Sequence, residues 1–263
     1  MDSLLVLPFF AGLPLAVLLP LIGLYLRLRD EWLATLGLAH LAASGVLAGM
    51  ALKLPNIVGA LLGAGLGSGA KQLAGKQGNS AWGLMILAGW SASLLVAANT
   101  ALGEALAHAL IDGQLYFAGR QELILAWTVT LIALFVLARL APRLIAARLL
   151  PEYERANRLP AWRWHLGFDL LTSVSIAASL TVCGLLASFA LIFVPPWIAF
   201  RLAPDWRRAA WIAAGIGLIV YGAAFGLALA LDQPFGPLEA AVSLLILAAS
   251  GIVCRPASAD FSR

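Results

Sequence analysis

The side chain with the widest chemistry in this sequence is the imidazole of His40. It stands near the middle of an apolar run from Glu31 to Lys53, EWLATLGLAHLAASGVLAGMALK. Imidazole binds zinc, copper, nickel or iron, and it relays protons near neutral pH. At 1.5 Å per residue, His40 lies about 12 Å along a helix of about 30 Å. An ionisable group at that depth is costly and marks a functional site by default. On a helical wheel it shares a face with Leu33, Leu36, Gly37 and Ser44, so Ser44 joins the same candidate path. The competing reading is a neutral histidine hydrogen-bonded to a neighbouring helix.

Two further constellations share a face by their spacing. Asp169, Thr172, Ser175, Ser179 and Cys183 recur every three or four residues, which keeps them on one broad helix face. Such a stripe either lines an aqueous path or bonds across helices as packing glue. Glu104, His108 and Asp112 are spaced four and four, a carboxylate–imidazole–carboxylate ridge if helical. That ridge can attract a cation; nothing there forces burial, so a solvated polar face is the preferred reading.

Enzyme signatures fail on inspection. AKQLAGKQ at 70–77 nearly spells a phosphate-binding loop, but Ala70 replaces the first glycine and Gln77 the Ser/Thr that would hold magnesium. Ser68 in GLGSGA resembles an intramembrane serine nucleophile. Leu66 breaks the usual Gly-x-Ser-Gly pattern, and no second histidine lies in a span to act as its base. No HExxH occurs. The two cysteines, Cys183 and Cys254, lie in apolar runs and offer neither a disulfide framework nor a paired metal spacing.

The elements that must position these residues follow from composition. Of 263 residues, 62% are hydrophobic and 11% charged, against roughly 25% charged in a soluble domain. Lipid forces backbone hydrogen bonds inside each segment, so long apolar runs mean helices. The sequence predicts one all-α domain over 1–263, a polytopic membrane bundle of eight to nine helices. The expected spans are Leu4–Leu26, Trp32–Leu52, Pro55–Ala74, Ala81–Leu102, Glu122–Leu140, Leu166–Gly184, Leu185–Arg201, Trp206–Leu231 and Pro237–Cys254. The sixth and seventh meet at Gly184, so one of them can be broken or re-entrant. The first lacks a basic n-region and is too long for a signal peptide, so it is expected to be retained.

Charge gives orientation. All but Lys53 and Arg120 of the 17 cations follow odd-numbered spans or lie in the carboxyl tail. Positive residues favour the cytoplasmic side, so the amino terminus is expected outside and the carboxyl terminus inside. This distribution explains the net charge of +4 without nucleic-acid binding. Glycines recur at four-residue spacing: Gly45 and Gly49, Gly59, Gly63 and Gly67, Gly65 and Gly69, Gly222 and Gly226. In lipid these let helix backbones approach closely, within the bundle or at a dimer seam. The segment 103–119 between the fourth and fifth spans is amphipathic, able to lie in the interface or plug the outer mouth.

Three stretches carry a likeness to a known family. GLLASFALIFVPPWIAFRLA from Gly184, LDQPFGP at 231–237 and LGLAHLAASGVLAG around His40 and Gly45 resemble the permease subunits of zinc/manganese-type ABC importers. The resemblance implies alternating access driven by ATP hydrolysis on a separate ATPase chain. It also implies an extracellular or periplasmic solute-binding protein, a second permease copy and a bacterial cytoplasmic (inner) membrane. No cofactor is implied on this chain; a metal ion is the cargo and ATP sits on the partner. The loop at about 146–165, with Glu152, Tyr153, Glu154, Arg155 and Arg158, would match the helix that couples to the ATPase. His40 would be a transient metal ligand and Asp169 an inner-gate carboxylate. The pattern departs at two positions: Leu36 replaces an aspartate one turn before the histidine, and Trp90 a histidine of the fourth span. Either Asp169, Glu104 or His108 makes good the lost ligands, or the cargo differs. The competing functions are carriage of a metal complex or another small solute, and an assembly subunit with no metal site of its own.

Overall fold

The computed structural model describes residues 2–74, 79–100, 115–150, 152, 156–157, 159–160 and 162–251. Among these, the chain forms nine α-helices, one short 3-10 turn and no strand. They are α1 Asp2–Leu28, α2 Ala34–Ala51, α3 Asn56–Ala74 and α4 Asn79–Ala98. After the 3-10 turn Leu115–Phe117 come α5 Arg120–Leu149, α6 Trp162–Val182, α7 Leu185–Leu202, α8 Trp206–Leu231 and α9 Phe235–Ala249. Each helix falls on one expected span. Six of them, α1 and α4 to α8, are long and apolar enough to cross a membrane; α2, α3 and α9 are shorter apolar helices. The protein is a polytopic helical membrane bundle.

The helices pack around two centres. α1 is flanked by α5, α6, α7 and α8, while α2 is flanked by α3, α4, α6 and α7. α6 touches both sets and is buried over most of its length. Its polar stripe is therefore enclosed by protein.

The sixth and seventh spans are two separate helices. The Cys183 and Gly184 amides both donate to the Ser179 carbonyl, at 2.7 and 3.2 Å. Gly184 then turns the chain with φ 89°, a value strained for any residue with a β-carbon. The Ser188 hydroxyl donates to the Gly184 carbonyl at 2.6 Å, and Ser179 and Ser188 oxygens lie 2.6 Å apart. With the Ser188 proton committed to Gly184, Ser179 is the donor in that pair, and the turn is clasped from both sides.

Proline and glycine make close packing possible in lipid, where helices have no hydrophobic drive toward one another. A proline inside a helix leaves the carbonyl four residues earlier without its amide. Pro14 frees the Phe10 carbonyl, which accepts from the Trp127 indole of α5 at 3.0 Å. Pro20 frees Ala16, whose carbonyl oxygen faces Gly217 of α8 so tightly that a β-carbon there would collide with it. Pro196 of α7 does the same for Ile192 against Gly23 of α1. The α2–α3 seam is built likewise: β-carbons on Gly45, Gly59 or Gly63 would strike the backbone of the facing helix.

Candidate functional site

His40 lies on α2 with 7% of its surface exposed. It faces α4, where the Trp90 indole meets the imidazole edge-on with ring centroids 5.0 Å apart and planes at 78°. Gly89 lets α4 come this close, since a β-carbon there would lie 2.6 Å from the His40 carbonyl carbon. Trp90 is the position at which the sequence resemblance leads one to expect a histidine. Two residues 50 positions apart in sequence thus share one spot, and here an indole occupies it. Leu36 is half-buried one turn away on α2 and offers no ligand. The Ser44 hydroxyl donates to the Leu41 carbonyl at 2.9 Å, so its proton is turned back onto its own helix.

The α6 stripe begins at Asp169, 2% exposed, whose carboxylate pairs with the Arg29 guanidinium at 3.0 Å. Arg29 also reaches Glu31 at 3.3 Å and lies 5.1 Å from the Phe168 ring centroid. The segment after α1 is thereby pinned to α6. Farther along, the Ser173 hydroxyl donates to the Asp169 carbonyl at 2.8 Å. Its oxygen lies 2.7 Å from that of Ser68 on α3, so Ser68 supplies the proton between them. The serine that resembles a nucleophile is engaged with another hydroxyl. Ser175 donates to the Leu171 carbonyl at 2.8 Å, and Ser179 to Ser188 as described. Thr172 is the exception, buried with no hydrogen-bond partner for its hydroxyl.

Further polar residues lie at or within the packed bundle outside the stripe and the His40 neighbourhood. Arg29, which the sequence presents as a topogenic cation, is the partner of Asp169; nothing in sequence spacing links residues 140 positions apart. Glu239 on α9 is fully buried, and neither carboxyl oxygen has a hydrogen-bond partner. Ser243, one turn on, is also buried and unpartnered. Glu239 lies within electrostatic reach of Cys183 and Tyr221, both fully buried. Its signal was an acidic residue inside the expected ninth span, which a search for spaced stripes passes over. The Tyr221 hydroxyl donates to the Phe9 carbonyl of α1 at 2.8 Å. Tyr116, in the 3-10 turn outside the spans, donates to the Phe225 carbonyl at 3.2 Å, and burial pushes its pKa up to about 12.

Glu104, His108 and Asp112 lie outside the described residues, as do Tyr153, Glu154, Arg155 and Arg158 of the coupling segment; Glu152 is described and exposed. Among the described residues, no group of three or more His, Cys, Asp or Glu side chains is placed to hold a metal ion.

A bundle of membrane-length apolar helices with ionisable groups buried between them defines a polytopic integral membrane protein. The ABC 3 transport family model matches residues 1–253, and the chain belongs to that family of permease subunits. The fold is similar to PsaBC from Streptococcus pneumoniae, solved in complex with Fab, at TM-score 0.81 and 13% identity. That match covers 94% of this chain and 90% of the other. It is also similar to a protein described as a metal-chelate-type ABC transporter in an inward-facing conformation. There the TM-score is 0.75 and the identity 15%, with coverage of 94% and 85%. No curated protein sequence matches the chain.

Proposed function

We propose that this permease moves a divalent transition metal, zinc preferred over manganese or iron, into the cell by alternating access. Nucleotide hydrolysis would sit on a separate ATPase chain, a solute-binding protein would deliver the cargo, and a second copy of the permease would complete the pathway. The observation that carries this reading is His40, an imidazole enclosed at mid-helix in a chain of an ABC transport family. One imidazole suits a path ligand, because a transport site must bind weakly enough to release. Asp169 is held by Arg29 about two turns into α6, so movement of α6 relative to α1 would have to break or carry that pair. This gives the inner-gate role a physical form.

The decisive measurement is ATPase stimulation of the assembled transporter in liposomes by zinc, manganese, iron and nickel, with uptake followed in parallel. Zinc is expected to stimulate most. His40→Ala is expected to abolish metal-stimulated uptake while leaving assembly intact; unchanged uptake rejects the assignment.

A second reading has its own support. Leu36 and Trp90 take the places of two ligands beside His40, and an indole wall suits a larger, less naked cargo such as a metal complex. Stimulation by a metal chelate, with none by the free ions, would favour it.

A further inference from the structure

α9 carries a buried carboxyl to which the described residues bring no partner. Glu239 lies in the second turn of the helix with none of its surface exposed, and neither carboxyl oxygen is hydrogen-bonded. No ion pair of the described residues includes it. An ionised carboxylate is among the most costly groups to enclose alone, and in a membrane-depth helix such a residue marks function by default.

Ser243, four residues on, is also fully buried and unpartnered. Residues four apart share a helix face, so the hydroxyl and the carboxyl stand on one side of α9. Ser173, Ser175 and Ser188 each turn the hydroxyl back to the carbonyl four residues earlier. Ser243 has the Glu239 carbonyl in that position and does not use it. Three oxygens on one enclosed face are thus left open.

The groups within electrostatic reach of Glu239 have their protons engaged elsewhere. α9 packs against α7 and α8. From α8 comes Tyr221, whose hydroxyl donates to the Phe9 carbonyl at 2.8 Å. Cys183, at the turn between α6 and α7, is hydrogen-bonded to Ser179, and the Ser179 proton goes to Ser188, so the thiol is the donor. A proton on Glu239 would remove its charge, yet the new O–H group would find no acceptor and Ser243 would stay unpartnered. A cation on the shared face meets all three oxygens at once. Carboxylate and hydroxyl oxygens are hard donors that suit alkali and alkaline-earth ions better than zinc or copper. One carboxylate neutralises one positive charge, which selects a monovalent ion.

We propose that Glu239 and Ser243 form a binding site for one alkali cation, enclosed where α9 packs on α7 and α8. The site does not rest on the role of His40 or on the identity of the cargo.

The test is thermal unfolding of the full chain in detergent at fixed ionic strength. N-methylglucamine chloride is replaced stepwise by sodium or potassium chloride, and zinc chloride is added in a separate series. A ligand that binds only the folded state raises the unfolding temperature with its concentration, so an alkali ion is expected to raise it. Glu239→Gln is expected to lose the response, and Ser243→Ala to need about tenfold more salt for the same rise. In N-methylglucamine alone Glu239→Leu should unfold above the parent, and in sodium that lead should shrink. An equal response in Glu239→Gln, or no response in the parent, overturns the site. A rise with zinc and none with sodium or potassium would make this a station for the cargo and overturn the alkali assignment. If Glu239→Gln does not fold, Ser243→Ala decides: an unchanged response there overturns the shared ligand set.

Discussion

Asp169 and Arg29 each depend on the other, because both lie where water cannot replace the partner, with side chains 2% and 12% exposed. Removing one member of a buried ion pair strands the other, at a cost of about 3 kcal/mol or more, whereas replacing both with apolar groups is often neutral. Arg29→Gln is therefore expected to lower the thermal unfolding temperature clearly, and the double variant Arg29→Met, Asp169→Leu to recover most of it. If the pair also works as an inner gate, the double variant will be stable yet fail in uptake; a stable and fully active double variant makes the pair structural only. Glu239 gives the opposite sign. An enclosed carboxyl with no hydrogen-bond partner already pays its desolvation penalty, so Glu239→Leu is expected to raise stability by about 1–3 kcal/mol in the same unfolding measurement. A loss of stability would mean that the carboxyl has a partner in the working protein. His40 and Asp169 were legible because an ionisable residue in an apolar run stands out by type alone. Their surroundings were not. The pairing of Asp169 with Arg29 and of His40 with Trp90 depends on which helices meet, and one chain's spacing does not encode that.

At the level of helices, the four-residue glycine spacing identified seams without telling which were used. Gly45, Gly59 and Gly63 face backbone across the α2–α3 seam, whereas Gly65, Gly69, Gly222 and Gly226 have nothing within 4 Å. The spacing is identical in both sets, so only the packing separates them. The consequence is a contrast between substitutions of one chemistry. Gly63→Ala must push α2 and α3 apart, because the obstructing atom is the Leu41 carbonyl and not the end of a flexible side chain. It is expected to destabilise by roughly 1–3 kcal/mol, the usual cost of overpacking. Gly65→Ala meets open space and gains helix propensity, so it should be neutral or stabilise by roughly 0.5–1 kcal/mol. Side-by-side melts of the two variants check this, and equal losses would mean the seam is not where the structure puts it. The prolines tell the same story. A reader of sequence marks them as helix disruptors, yet Pro14, Pro20 and Pro196 each release a carbonyl that a neighbouring indole or glycine then meets. Span existence survives this, because hydropathy depends on composition, while the reason for each proline lies on another helix.

For the whole molecule, cation bias and packing agree on which helix ends belong together. Arg27 and Arg201 gather on Trp197, Arg29 reaches Asp169, Arg143 lies 5.2 Å from Trp164, and the Tyr25 and Trp206 rings meet at 4.9 Å. These contacts join the carboxyl-terminal ends of α1, α5 and α7 to the amino-terminal ends of α6 and α8. Phe9, Tyr116, Tyr221, Phe225 and Phe235 cluster away from them, among the opposite ends. If all nine helices cross in alternating directions, the two termini are expected on opposite sides. The orientation expected from the sequence makes the basic end the cytoplasmic one, since Lys and Arg near span ends resist translocation. A fluorescent protein that matures only in the cytosol should light up when fused after residue 251 and stay dark when fused before Met1. An alkaline phosphatase fusion, active only outside, should give the reverse. Moving the balance tests the cause: replacing Arg27, Arg29, Arg143 and Arg163 with glutamine while adding lysines beside Arg120 should yield mixed orientation. If the fusions report both termini on one side, the expected odd number of crossings is wrong, and with it the proposed contact of the 146–165 segment with a cytoplasmic ATPase.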